Sequence, residues 1–286
     1  MPDVSAYPLL RTKRRRRRWR VRVDPARVRL AAVLLAALTL LAALLWASRP
    51  GPPDPAAALA EARTTLAAGN YNAARSNALR AVTANGRSPA AQLILAEALL
   101  ELGEGLAAEA ALDRAKQAGA PPEQVHHLAA RARLLQGDAA GALDRVEIAD
   151  PRHAGDLARV RAGALASRGQ GAAAQAVLEE RLARDARDAR AWTALGRLRL
   201  AADEMGAAAD AAATAVRLAP GEPAALTLQG EVVRTRFGLV AALPWFEAAL
   251  KRDAFYHPAL IEYAATLGEA GRHAEALAVT REALKA

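Results

Sequence analysis

The chain has 286 residues, 39 of them basic and 30 acidic, and it contains no cysteine. The lack of cysteine excludes disulfides, thiolate zinc sites and cysteine nucleophiles. Residues 1–29 hold 11 basic and two acidic residues, so this segment alone accounts for the net charge of +9 and the rest of the chain is neutral.

The basic tail, residues 1–29, has five consecutive arginines at its centre: Arg14, Arg15, Arg16, Arg17 and Arg18. A run of like charges stays solvated or binds an anion. One interpretation is a topology signal with lipid phosphates as counterions, each arginine adding about 1 kcal/mol of attraction. The alternative is a docking site for nucleic acid or an acidic protein. Trp19 is the one aromatic residue among the arginines, so the tail offers little surface on which bases could stack, and nucleic acid is an unlikely partner.

Residues 30–48, from Leu30 to Ser48, contain no charge. A helix of this length spans roughly 28 Å, close to the ~30 Å hydrocarbon core of a bilayer. Trp46 lies at the end where an aromatic ring favours the headgroups, and the arginines lie before the span. The pattern predicts one transmembrane helix with a cytoplasmic N-terminus and the remaining chain across the membrane. A cleaved signal peptide is the alternative, but its apolar run is usually shorter.

Residues 49–54 (RPGPPD) form a proline-rich linker, and residues 55–286 contain a repeat. Units start near residues 55, 89, 123, 155, 189, 223 and 257, a step of 34 with one step of 32. Unit five shows the pattern best, with Trp192, Leu195 and Gly196 followed by spaced alanines. Small residues recur at positions 8, 20 and 27 of the units, where helices approach closely. Arg181 is the one exception.

Position 15 of the units indicates a turn between two helices. It is glycine in five units and is replaced by Asp203 and Phe237 in the other two. A helix commonly ends in a left-handed residue, and glycine adopts that conformation without strain. Each unit is therefore predicted to be a helical hairpin.

The spacing W-x-x-L-G, then A-x-x-x-A-x-x-A, then proline resembles the tetratricopeptide repeat (TPR), a 34-residue helix–turn–helix module. The resemblance covers residues 55–286. It implies an all-α, right-handed superhelix of about seven hairpins, preceded here by the transmembrane helix. The last unit stops near its position 30, which leaves open a longer chain or a last face that binds something.

The resemblance also implies an inner groove, lined by the first helix of each unit. The side chains that map to it are Arg63, Glu97, His127, Arg131, Arg159, Arg190, Arg197, Glu231 and Arg234. The middle of the groove is rich in arginine, which suits an extended, partly acidic peptide, although a solvated face is an equal alternative. Family members that clamp a terminal carboxylate use lysine and asparagine where this chain has Leu59 and Arg63, so a clamp of that kind is not expected.

No catalytic constellation is evident, and no enzyme activity, cofactor or metal is expected. No two histidines stand at i, i+4, and the adjacent His126 and His127 point about 100° apart on a helix. No phosphate loop or nucleophile elbow occurs. The chain resembles anchored repeat proteins that assist secretion, envelope assembly or cytochrome maturation, and this resemblance implies a non-enzymatic scaffold in a bacterial inner membrane that presents its repeats to periplasmic protein partners. The alternatives are an accessory region of a longer enzyme and a self-assembling structural protein.

Overall fold

The computed structural model describes residues 34–36, 38–41, 54–147 and 151–283. The predicted basic tail with its five arginines and most of the predicted linker and transmembrane helix lie outside these ranges. Among the described residues, no helix is both long and apolar enough to cross a membrane.

Residues 54–283 form a compact unit that is built only of helices wherever it is described. The helices are α1 (Pro55–Ala67), α2 (Tyr71–Ala84), α3 (Pro89–Glu101), α4 (Gly105–Gln117), α5 (Pro122–Leu135), α6 (Ala139–Val146), α7 (Ala154–Ser167), α8 (Gly171–Arg184), α9 (Ala189–Ala201), α10 (Met205–Leu218), α11 (Pro223–Phe237), α12 (Leu239–Arg252), α13 (His257–Glu269) and α14 (His273–Ala283). A 3₁₀ turn, Pro151–His153, precedes α7. The predicted all-α helical-repeat superhelix is confirmed for this part of the chain.

The helices pack in two layers. Each odd-numbered helix contacts the even-numbered helix of its own hairpin, and each odd-numbered helix also contacts the odd-numbered helix of the next hairpin. The odd-numbered helices therefore form one continuous layer, which is the inner layer that the repeat register assigns to the groove. Asp54, Asn70, Ser88, Asp138 and Asp188 cap helices by accepting a hydrogen bond from a backbone N–H of the first turn.

The turn between the helices of a hairpin has the predicted left-handed residue. The five glycines at position 15 have φ between 76° and 79°, and Asp203 has φ 61° in the fifth unit. Phe237 departs from the pattern because α11 continues through it and Gly238, one residue later, takes φ 90°.

Small residues fill the places where helices approach most closely. Ala74, Ala108, Ala142, Ala174 and Ala208 at position 20 are fully buried. Gly230 shows why size matters, because a Cβ atom there would lie 2.5 Å from Cε1 of Phe246. Such contacts fix the hairpin geometry and leave little freedom for larger side chains.

The hairpins differ most at the boundary between units three and four. Helix α6 has eight residues, whereas the other even-numbered helices have 11 to 14. The chain then passes through the 3₁₀ turn into α7. The shortened unit therefore changes how α7 is entered, which brings His153 into the inner layer.

Candidate functional site

The inner layer surrounds a cavity of about 610 Å³. Its wall contains side chains from the odd-numbered helices α1 to α11, with Tyr71 of α2, His153 of the 3₁₀ turn, and Tyr256, the residue before α13. The charged and aromatic members are Tyr71, Glu97, Glu101, His127, Arg131, His153, Asp156, Arg159, Arg190, Arg197, Glu222 and Tyr256. Leu66, Leu134, Leu135 and Val160 add apolar surface. The wall thus offers both charges and hydrophobic area to one ligand.

Six of the nine side chains predicted for the groove line this cavity. They are Glu97, His127, Arg131, Arg159, Arg190 and Arg197. Arg63, Glu231 and Arg234 are not part of its wall. Arg234 instead joins two units by an ion pair to Glu262 at 2.7 Å, and Arg63 is exposed on α1.

Glu101 and Arg131 form the first fixed ion pair of the wall, with 2.7 Å between Oε1 and Nη1. Burial by itself would raise the pKa of Glu101, but the hydrogen bond and charge of Arg131, with two further arginines, outweigh it and lower the pKa. A carboxylate that is held in this way stays ionised. It orients Arg131 across the boundary between units two and three.

Glu97, one turn before Glu101 on α3, has the opposite electrostatics. Burial raises its pKa, and the nearby charge of Glu101 raises it further, while Arg131 only partly opposes them. Within the described residues Glu97 makes no salt bridge. Its carboxyl group is therefore available to a ligand that supplies a positive charge or a hydrogen-bond donor.

Asp188 lies at the boundary between units four and five, where two arginines converge on it. Its Oδ2 accepts a hydrogen bond from Nε of Arg181 at 3.0 Å, and its Oδ1 lies 3.4 Å from Nη1 of Arg159. The same Oδ1 caps α9 through the N–H of Ala191 at 2.9 Å. Arg181, the exception at position 27, is thus accommodated because acidic side chains surround it. Asp185 also accepts from it.

Two arginines of α9 are less firmly paired. Arg190 is 58% exposed, and its Nε lies 3.7 Å from Glu222. Arg197 contacts Tyr256, where burial raises the pKa of the phenol and the charge and hydrogen bond of Arg197 partly oppose the rise. Arg190 and Arg197 belong to unit five, whereas Glu97 belongs to unit two, so the cavity wall offers positive charge from one unit and a carboxyl group from another.

Tyr71 and Tyr256 were not predicted, although both line the cavity. Tyr71 begins α2 in the first unit, whereas Tyr256 precedes α13 in the seventh. Burial, with the charges of Glu101, Asp253 and Glu222, raises the pKa of Tyr71 to about 12. The superhelix therefore curves enough to bring the first unit close to the boundary between units six and seven. A pattern within one unit carries no signal for this curvature.

His127 and His153 form an unexpected pair in the wall. Their rings stack with centroids 3.5 Å apart and an angle of 7° between the planes. Nδ1 of His153 lies 3.8 Å from Oδ2 of Asp156, the carboxylate that pairs with Arg159. A spacing of i, i+4 does not reveal this pair, because its members come from two separate elements, α5 and the 3₁₀ turn before α7.

Two solved structures share this fold. One is a tetratricopeptide repeat protein from Parabacteroides merdae, with a TM-score of 0.59 and 12% identity over 82% of this chain and 92% of that one. Another is the Cut9–Hcn1 hetero-tetramer of the APC/C, with a TM-score of 0.59 and 13% identity over 79% of this chain. This match covers only 45% of the length of that chain.

The fold is therefore a TPR-like helical repeat. The structure of YrrB, a TPR protein with an unusual peptide-binding site, is also similar, with a TM-score of 0.38 and 18% identity over 64% of this chain and 95% of that one. The sequence matches no protein-family model and no curated protein.

Proposed function

We propose that the chain is a non-enzymatic scaffold whose cavity binds an extended, partly acidic peptide segment of a protein partner. The observation that carries this proposal is the cavity of about 610 Å³ with Arg131, Arg159, Arg190 and Arg197 in one wall. Arginine binds carboxylates in a planar, two-pronged geometry, and it is enriched where interfaces depend on a few side chains.

The ion pairs and the exposure of each arginine indicate which of them contact the ligand. Arg131 and Arg159 are held by Glu101, Asp156 and Asp188, so they form a fixed positive background. Arg190 is the exposed one, and its distance to Glu222 allows it to exchange that partner for a peptide carboxylate. Glu97 suits a basic residue of the peptide, and the leucines of the wall suit an apolar one. The expected ligand is therefore a mixed sequence rather than a polyacidic one.

Photocrosslinking in cells tests the cavity. A photoreactive residue replaces Arg190 in the cavity or, as the matched control, Arg217, which is exposed on α10 and outside the cavity wall. A discrete crosslinked band from position 190 alone supports the proposal, and mass spectrometry of the band identifies the partner. Equal bands or none at the two positions contradict it.

We further propose that residues 30–48 anchor the scaffold in a bacterial inner membrane, with the basic tail in the cytoplasm and the repeats in the periplasm. The uncharged run of 19 residues after the arginines supports this arrangement. A reporter enzyme that is active only outside the cytoplasm, fused after Ala286, tests it. Activity of the fusion is expected, and loss of activity is expected when residues 30–48 are deleted. A fusion that is active without these residues overturns the proposal.

A further inference from the structure

Three side chains of the cavity wall combine the donor atoms of a metal site. His127 belongs to α5, His153 ends the 3₁₀ turn, and Asp156 lies in the first turn of α7. One ring nitrogen of each histidine and one carboxylate oxygen of Asp156 all lie within 4.8 Å of one another. All three side chains are half-buried, so an ion between them would be partly shielded from solvent while still facing the cavity.

We infer that His127, His153 and Asp156 bind one divalent transition-metal ion, with Zn²⁺ as the ion that suits them best. Imidazole nitrogen and carboxylate oxygen are ordinary zinc ligands, and two histidines with one carboxylate leave a fourth position for water. The nitrogen donors favour first-row transition metals over Mg²⁺ or Ca²⁺, which prefer oxygen. Because all three side chains line the cavity, a water at the fourth position would lie on the cavity side.

The two oxygens of Asp156 have separate partners. Oδ1 accepts a hydrogen bond from Nη2 of Arg159, whereas Oδ2 is the oxygen that faces His153. Arg159 therefore orients the carboxylate and leaves Oδ2 in place for an ion. This is the role that hydrogen-bonded neighbours of metal ligands generally have.

The charges around the three side chains nearly balance. The guanidinium of Arg159 opposes a cation, but its partners Asp156 and Asp188 are both acidic. Glu97 on α3 interacts electrostatically with both His153 and Asp156, so a further carboxylate lies near the site. Arg131 is held by Glu101 on the other side. The side chains around a bound divalent cation would therefore carry no large excess of positive charge.

Metal binding requires one change in the histidine pair. A bound ion lies close to the plane of each imidazole, whereas the two rings are stacked with an angle of 7° between their planes. At Zn–N distances of about 2.0–2.1 Å the ligand atoms of a tetrahedral site must also be closer together than 4.8 Å. Metal binding would therefore require the His153 ring to rotate about its side-chain bonds, and His153 precedes the first α-helical residue of α7. The ion would replace the stack as the link between the two rings.

The position of the site gives the ion a structural effect. His127 belongs to unit three, and His153 and Asp156 flank the start of unit four, across the boundary where α6 is shortened. The ion would tie α5 to α7 at the place where the repeat spacing is interrupted. This inference stands independently of whether the cavity binds a peptide.

Isothermal titration of the full-length chain with Zn²⁺ tests the site, after treatment with a chelator and without a polyhistidine tag. One equivalent is expected to bind. His153→Ala and Asp156→Asn are expected to weaken binding at least about tenfold, since changes even to outer-shell groups reduce metal affinity by about that factor. Asp156→Asn keeps an oxygen for Arg159, so it remains informative if the histidine variant folds poorly.

The control variant is His126→Ala, which removes the neighbouring histidine of α5 that is outside the cluster. It should bind Zn²⁺ as the unmodified chain does. NMR signals of the His127 and His153 rings should shift together on zinc addition. No binding of one equivalent, or equal weakening by His126→Ala and His153→Ala, would overturn the inference.

Discussion

The second repeat unit is centred on a large apolar cluster, whereas the boundary between units four and five combines a smaller apolar cluster with a shielded group of charges. Around α4, apolar side chains form one cluster that extends from Ala62 to Ala132. At the other place Asp188, with 10% of its side chain exposed, joins Arg159 and Arg181. The stabilisation from apolar burial grows with the area that is buried. A shielded charge, by contrast, destabilises the folded state when its partner of opposite charge is removed. The same fold therefore has two kinds of weak point.

The largest expected effect is in the apolar region. Leu112 is completely buried in α4, so Leu112→Ala should lower the free energy of unfolding by about 2–5 kcal/mol through lost burial and the cavity it leaves. Urea unfolding, with hydrogen exchange of α4, measures the change. Leu106 on the same helix is 74% exposed. Leu106→Ala should change stability by no more than about 0.5 kcal/mol, and similar losses for both variants would contradict this view of the core.

The polar boundary should show the next largest effect. Asp188→Ala removes the cap of α9 and leaves Arg159 and Arg181 without their shared partner. A loss of about 2 kcal/mol is expected, because a cap contributes about 1 kcal/mol and the ion pairs are partly buried. Thermal unfolding at low and high salt measures it.

Asp185→Ala is the control at this boundary, since Asp185 is 43% exposed, pairs with Arg181 and accepts a hydrogen bond from the backbone N–H of Arg187, but does not contact Arg159. It should cost less than about 1 kcal/mol. If Asp185→Ala destabilises as much as Asp188→Ala, the shared partner is not what holds the boundary.

Glu97 and Glu101 should give opposite pH dependences. Because burial raises the pKa of Glu97, ionisation of this group opposes folding, and its effect on stability becomes unfavourable as pH rises through the folded-state pKa. Glu97→Gln should therefore raise the melting temperature by a few degrees at neutral pH and have little effect in acid. Thermal melts of each variant between acidic and neutral pH measure this.

Glu101→Gln should instead lower the melting temperature at neutral pH, because the net effect of its surroundings lowers the pKa of Glu101. Its stabilising contribution is present above the unfolded-state pKa and is lost as pH falls through the folded-state value. Equal pH profiles for the two variants would show that the two carboxyl groups do not differ as described.

The smallest effect concerns a turn. Asp203 has φ 61°, a conformation that costs free energy for a residue with a Cβ atom. Asp203→Gly should raise the free energy of unfolding by about 0.5 kcal/mol, less than the strain relieved because glycine also gains freedom when unfolded. The reverse change at the equivalent Gly137, Gly137→Ala, should destabilise by about 1 kcal/mol. Calorimetric unfolding of both variants measures the two changes in the free energy of unfolding.

Features that recur in every unit could be predicted from the sequence, whereas contacts that depend on the curvature of the array could not. Fully buried alanines such as Ala74 and Ala108 recur with the unit, so a fixed register locates them. The stack of His127 on His153 arises where one unit is two residues short, and no spacing rule describes such a place. Arg63, Glu231 and Arg234 have groove positions within their units but lie away from the cavity, because the cavity occupies only part of the inner layer.

The presence of Tyr71 and Tyr256 in one cavity wall has a consequence for how this protein can evolve. Repeat arrays ordinarily tolerate gain or loss of a unit because each contacts only its neighbours. Here residues of the first unit and of the end of the sixth unit border the same space. Duplication or deletion of a 34-residue module between Tyr71 and Tyr256 would change the distance between the two tyrosines and resize the cavity. If the cavity binds a peptide as proposed, the number of modules helps to set which ligand fits, and natural selection should hold that number constant while individual surface residues drift.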